Sequence, residues 1–175
     1  SDGFTPLMMA SAAGHEAIVE KLMQEGAGVN FSNVQGCTAL MLASWHGHET
    51  IVKQLLDAGA DVNVATGDGI TPLMAASAEG HEAIVEKLID KEAEINAKSK
   101  KGLTPLICAS WSGHEAIVSA LIKAKAETDV NDIDGFTAFI NAKNNDGFTP
   151  LMIASQEGHT GIVSALIKAC LLYTS

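Results

Sequence analysis

Two kinds of apolar stretch alternate along this chain. The first kind is LMMASAA, LMLASWH, LMAASAE and LICASWS, which carry almost no charge and place Ala and Ser at matched positions. As helices they are apolar nearly all round, which calls for a neighbour on each side. The second kind is HEAIVEKLM, HETIVKQLL, HEAIVEKLI and HEAIVSALI, where apolar pairs recur four residues apart and Glu, Lys and Gln fall elsewhere. That spacing predicts amphipathic helices with one wet face. Thr5, Thr38, Thr71 and Thr104 stand as N-caps, with Pro6, Pro72 and Pro105 at the first helical position. Gly14, Gly47, Gly80 and Gly113 are placed to end the first helices. Polar links such as GAGVNFSNVQG then predict a hairpin-like turn.

The alternation is periodic. Gly-x-Thr-(Pro/Ala)-(Leu/Phe) occurs with its Gly at 3, 36, 69, 102, 135 and 147, successive steps of 33 and a last step of 12. The His of a Gly-His pair falls at 15, 48, 81, 114 and 159, with steps of 33 and a last step of 45. Both markers report one period and one interruption. A fixed period of this length is the signature of a repeat array rather than of one globular core.

The unit resembles the ankyrin repeat. Residues 34–66 (VQGCTALMLASWHGHETIVKQLLDAGADVNVAT) follow the family pattern almost throughout, and the resemblance covers about residues 1–169. It implies an all-α solenoid of stacked helix–turn–helix units with projecting β-turn or hairpin loops. The expected repeats are about 1–33, 34–66, 67–99, 100–127 and 144–169, with a truncated repeat or inserted loop at about 128–146. In the insertion reading, residues 147–169 stack directly on the fourth repeat. The segment is either a natural binding loop or the product of joining two similar repeats during sequence assembly. Such a seam is expected to leave the last repeat the first to fray.

Other departures from the pattern carry expectations of their own. The family's His after Thr-Pro-Leu is Met8, Met41, Met74, Ile107 and Met152 here, exchanging a polar brace for apolar packing. The Gly closing the second helix, present as Gly26 and Gly59, is missing from DKEAE and KAKAE. Those turns must hold a non-Gly residue in the left-handed region, at about 1 kcal/mol, or end differently. No polar capping repeat is evident, so the chain is expected to be a piece of a longer protein. The tail CLLYTS (170–175) breaks the pattern and translates TGT CTC TTA TAC ACA TCT, which looks like a transposase adapter end. It is expected to be non-native.

Composition narrows the function. Among 175 residues the 11 cations are all Lys, against 21 carboxylates, for a net charge of −10. Without Arg or a basic face, nucleic-acid binding is not expected. No apolar run approaches the roughly 20 residues of a membrane span, so no membrane insertion is expected. Cys37, Cys108 and Cys170 form no paired framework, which points to a reducing, cytoplasmic setting, with the nucleus also open. Five of the six His recur once per repeat as turn braces, and His46 has no Cys or carboxylate cluster beside it. No metal site, cofactor or catalytic residue is expected, and the chain reads as a monomer and not an enzyme.

By the resemblance, binding falls on the hairpin tips and on exposed first-helix positions. These map to Trp45, His46, Glu79, Trp111, Ser112, Gln156 and Glu157, with Ile70 and Leu103 following the hairpin glycines. Phe148 is the equivalent of Ile70 in the last repeat, and the tips include Gly67/Asp68, Lys100/Lys101 and Asn145/Asp146. Trp45 and Trp111 share one repeat position, where repeats one and three hold Ala. With Glu79 between them they are expected to form an aromatic–acidic stripe for a protein partner, and the acidity favours a basic partner segment. The expected function is a non-enzymatic protein–protein interaction scaffold. The alternatives are a targeting or regulatory segment of a larger enzyme, channel or acyltransferase, and a plain spacer.

Overall fold

The computed structural model describes residues 2–128 and 133–173, and the described residues are helical apart from turns and one isolated antiparallel bridge, Ser32 to Thr38. Two compact units divide the chain, one ending at Glu94 and the other beginning at Ile95.

The first unit holds three helix pairs: α1 (Pro6–Ala13) and α2 (Glu16–Gln24), α3 (Ala39–His46) and α4 (Glu49–Asp57), α5 (Pro72–Glu79) and α6 (Glu82–Asp90). Each first helix starts on a threonine whose Oγ1 accepts the third residue's N–H, at 3.2 Å for Thr5, 3.3 Å for Thr38 and 3.2 Å for Thr71. Helices α1, α3 and α5 pack side by side, and α2, α4 and α6 form a second row. The side chains that replace the family histidine, Met8, Met41 and Met74, are buried between the layers, so apolar packing stands where the polar brace was lost. Ala10, Ala43 and Ala76 are buried as well and let the first helices approach closely. Beside them, the Ser11, Ser44 and Ser77 hydroxyls are buried without a hydrogen-bond partner. The second helices bury one face, Ile51, Val52, Leu55 and Leu56 on α4 and Ile84, Val85 and Leu88 on α6.

Polar groups continue the stacking outside the helices. The Asn30 side chain donates to Gly59 O at 3.1 Å and accepts from Asp61 N at 2.8 Å. Asn63 repeats both contacts one unit on, with Glu92 O at 3.4 Å and Glu94 N at 2.8 Å. The hairpin tips join directly, Val34 N to Asp2 O at 3.2 Å and Gly67 N to Gln35 O at 2.8 Å.

The second unit contains α7 (Pro105–Ser112), α8 (Glu115–Thr128), α9 (Ile133–Ile140), α10 (Pro150–Glu157) and α11 (Thr160–Tyr173). Helix α10 packs on α7, and α11 packs on α8 and α9, so the last repeat lies directly against the fourth. Of the segment set down as a truncated repeat or inserted loop at about 128–146, residues 129–132 lie outside the described residues. The remainder carries α9, whose Phe136, Phe139 and Ile140 are buried, with the two rings 6.2 Å apart. Helix α11 runs on through Cys170, Leu171 and Leu172 to Tyr173, so the expected non-native tail begins inside a helix.

Both alternatives for the missing helix-closing glycines occur. In the third repeat Glu92 takes φ +63°, the one non-Gly residue with positive φ among the described residues. In the fourth, KAKAE stays helical and α8 lengthens to 14 residues.

Two measurements check this account. Glu92→Gly removes the left-handed penalty while keeping the backbone carbonyl that Asn63 uses, and should raise stability by up to about 1 kcal/mol in urea denaturation. Phe136→Ala empties a fully buried site and should cost about 3 kcal/mol or more, with hydrogen-exchange protection lost first over 133–140.

Candidate partner-binding surface

The exposed ends of the first helices are held by a contact that recurs between repeats. Each first helix stops on a left-handed glycine, φ +77° at Gly14, +79° at Gly47 and +82° at Gly113. Over these three glycines lies the imidazole of the next repeat, whose Nε2–H donates to a carbonyl in the helix's last turn. The pairs are His48 with Ala12 O at 3.1 Å, His81 with Trp45 O at 3.0 Å and His159 with Trp111 O at 3.2 Å. A Cβ on Gly47 would sit 2.5 Å from His81 Cε1, so only glycine fits on both counts. His159 reaches back 48 positions where His48 and His81 reach 36, the difference being the length of the interruption.

The backbone carbonyls of both tryptophans are therefore pinned while their side chains remain in solvent, Trp45 49% and Trp111 54% exposed. In the first unit, Trp45 and His46 occupy the last turn of α3, and Glu79 ends the neighbouring α5. Glu79 and Asp68 are exposed and Ile70 is half-buried. His46 is committed to its own helix, its Nδ1 2.9 Å from Leu42 O and its ring stacked parallel on His48 at 6.1 Å. Among the described residues no group of three or more His, Cys, Asp or Glu side chains could hold a metal ion.

In the second unit the surface closes into a cleft of about 90 Å³. Trp111, Gln156 and Glu157 line it together with Phe148, Asp146, Asn144 and Ile153. Asn144 and Ile153 are buried, and Trp111, Phe148, Asp146, Gln156 and Glu157 are exposed. The Asn144 carboxamide oxygen accepts Asp146 N at 3.0 Å and Phe148 N at 2.9 Å, which fixes the tip carrying both residues. Sequence reasoning missed Asn144 and Ile153. The signal for Asn144 was present: Asn33, Thr66 and Ser99 hold the same register, and each side-chain oxygen accepts the N–H of the residue after its hairpin glycine. Ser112 is exposed and Leu103 half-buried, and neither lines the cleft.

Charge is arranged unevenly. Lys87 pairs with Glu49 at 2.8 Å on the second-helix row, and that hydrogen bond raises the lysine's pKa. Among the described residues no lysine pairs with Asp68, Glu79, Asp146 or Glu157. Burial pushes the Cys37 thiol up and the Cys108 thiol up to about 12, so Cys108 stays protonated near neutral pH.

The family profile described as Ankyrin repeats (3 copies) matches residues 1–66 and 61–134, and the profile described as Ankyrin repeat matches 146–174. Comparison with curated proteins finds no matching relative. With its capped helix pairs and this coverage, the chain belongs to the ankyrin-repeat family, whose arrays are generally protein–protein interaction modules and typically non-enzymatic.

The pinning contact is open to a double-variant test. His81→Ala should cost about 1 kcal/mol in thermal or urea denaturation. Gly47→Ala should cost about 2 kcal/mol, from left-handed strain plus the displaced ring. Because the two act on one contact, the double variant should lose less than the sum.

Proposed function

We propose that this protein is a non-enzymatic interaction scaffold that binds a partner protein through its first-helix ends and hairpin tips. The observation that carries this reading is the pair of half-exposed tryptophans at one repeat position, each with its carbonyl held by the following repeat's histidine. A large ring on a fixed backbone loses little freedom on binding, which suits it to anchor an interface. Around these anchors, His46, Ile70 and Glu79 belong to the contact surface of the first unit. Leu103, Ser112, Gln156 and Glu157 belong to that of the second. The net charge of −10 steers a partner with a basic segment. No helix among the described residues is long and apolar enough to cross a membrane, which accords with a proposed cytoplasmic setting.

Affinity capture with this chain, followed by titration of the recovered partner, tests the proposal. Trp45→Ala and Trp111→Ala should each weaken binding by about 2 kcal/mol while leaving the helical circular-dichroism spectrum unchanged. A partner that binds both variants as tightly as the parent would overturn it.

A further inference from the structure

The two tryptophans have matched company. In the repeat after Trp45, Asp68 precedes the hairpin glycine and Glu79 ends the first helix; after Trp111 the same places hold Asp146 and Glu157. Where the tryptophan position is Ala12 or Ala78, those places hold Gln35 and His46, or Lys101 and Ser112. An aromatic ring and two carboxylates thus occur together or not at all, in alternate repeats.

The cleft of the second unit shows what the combination makes. Exposed Trp111 and Phe148 offer aromatic faces, and the buried Ile153 adds apolar surface between them and the core. Asn144 spends its carboxamide oxygen on backbone N–H groups, so the charge available to a ligand is that of Asp146 and Glu157. No lysine lines the cleft to neutralise them. An anion would be repelled, and an apolar side chain would strip water from carboxylates without replacing it. A cation on a methylene stem satisfies every wall: charge over the ring faces, hydrogen bonds to the carboxylates, and stem against Ile153. At about 90 Å³ the space suits the end of one side chain.

We infer that the Trp111 cleft binds a lysine or arginine side chain of the partner, and that Trp45 with Asp68 and Glu79 forms a second site of the same kind in the first unit. This rests on the scaffold reading and names the chemistry its surface selects.

Two tryptophans in the whole chain make the test direct. In the Trp45→Phe chain the remaining indole, Trp111, reports its own cleft. A short Gly/Ser peptide carrying arginine should quench that fluorescence saturably, and the same peptide carrying citrulline, neutral and of the same shape, should not. The paired change Asp146→Asn and Glu157→Gln keeps side-chain size at exposed positions and should weaken arginine-peptide binding by about tenfold or more. The Trp111→Phe chain, reporting Trp45, should respond in the same way to Asp68→Asn and Glu79→Gln. Equal response to both peptides, or unchanged affinity in the amide variants with an unshifted melting temperature, would overturn the inference. If the peptide fails while a captured partner still requires the tryptophans, the cation sites fall and the scaffold stands. If the peptide binds as expected while no partner requires them, the scaffold reading falls alone.

Discussion

The first helices depend at their ends on one recurring contact, the imidazoles of His48, His81 and His159 laid over the left-handed glycines Gly14, Gly47 and Gly113. The glycine ends the first helix and leaves room for the ring. The ring's N–H then satisfies a carbonyl of the last helical turn that has no partner within the helix. In two repeats that carbonyl belongs to a tryptophan. The interaction that stacks the repeats there is thus also the one that holds the backbone of a half-exposed tryptophan. Packing and presentation cannot be varied separately at that position.

The interruption illustrates how strongly this contact governs the chain. His159 stands 48 positions from Trp111 where His81 stands 36 from Trp45, yet the two contacts have nearly the same geometry. The interface of α10 with α7 is kept, and α9 lies on the second-helix side. There α9 buries two phenylalanines against α8 and α11. A nearest-neighbour array tolerates such an addition because each repeat needs only the faces beside it.

Electrostatics follow the same division of labour. Lys87 on α6 pairs with Glu49, and Lys91, just past the end of α6, with Asp57 at 3.8 Å. Asp146 and Glu157, which line the cleft with Trp111, pair with no lysine among the described residues. An exposed ion pair contributes little to stability, so the absence of a lysine partner there costs the fold almost nothing.

Much of this was legible in the residues. The 33-residue period, the Thr caps, the terminating glycines and the burial of one face of each second helix are local or periodic properties, and each copy of the motif states them again. The exposed placement of Trp45 and Trp111 followed from the family resemblance, and both rings are half-exposed in the structure. What only the tertiary structure decided lies where equal sequences meet unequal surroundings. Gly-Phe-Thr at 147–149 leaves a hairpin and caps α10, whereas Gly-Phe-Thr at 135–137 lies inside α9. The two share the same tripeptide, but the surface on α7 admits one first helix, and α10 holds it. The Trp111 cleft likewise joins residues from both sides of the interruption, so its existence depended on which segment took that place. Propensity and period specify what each segment can be; competition for a buried surface selects which one it becomes.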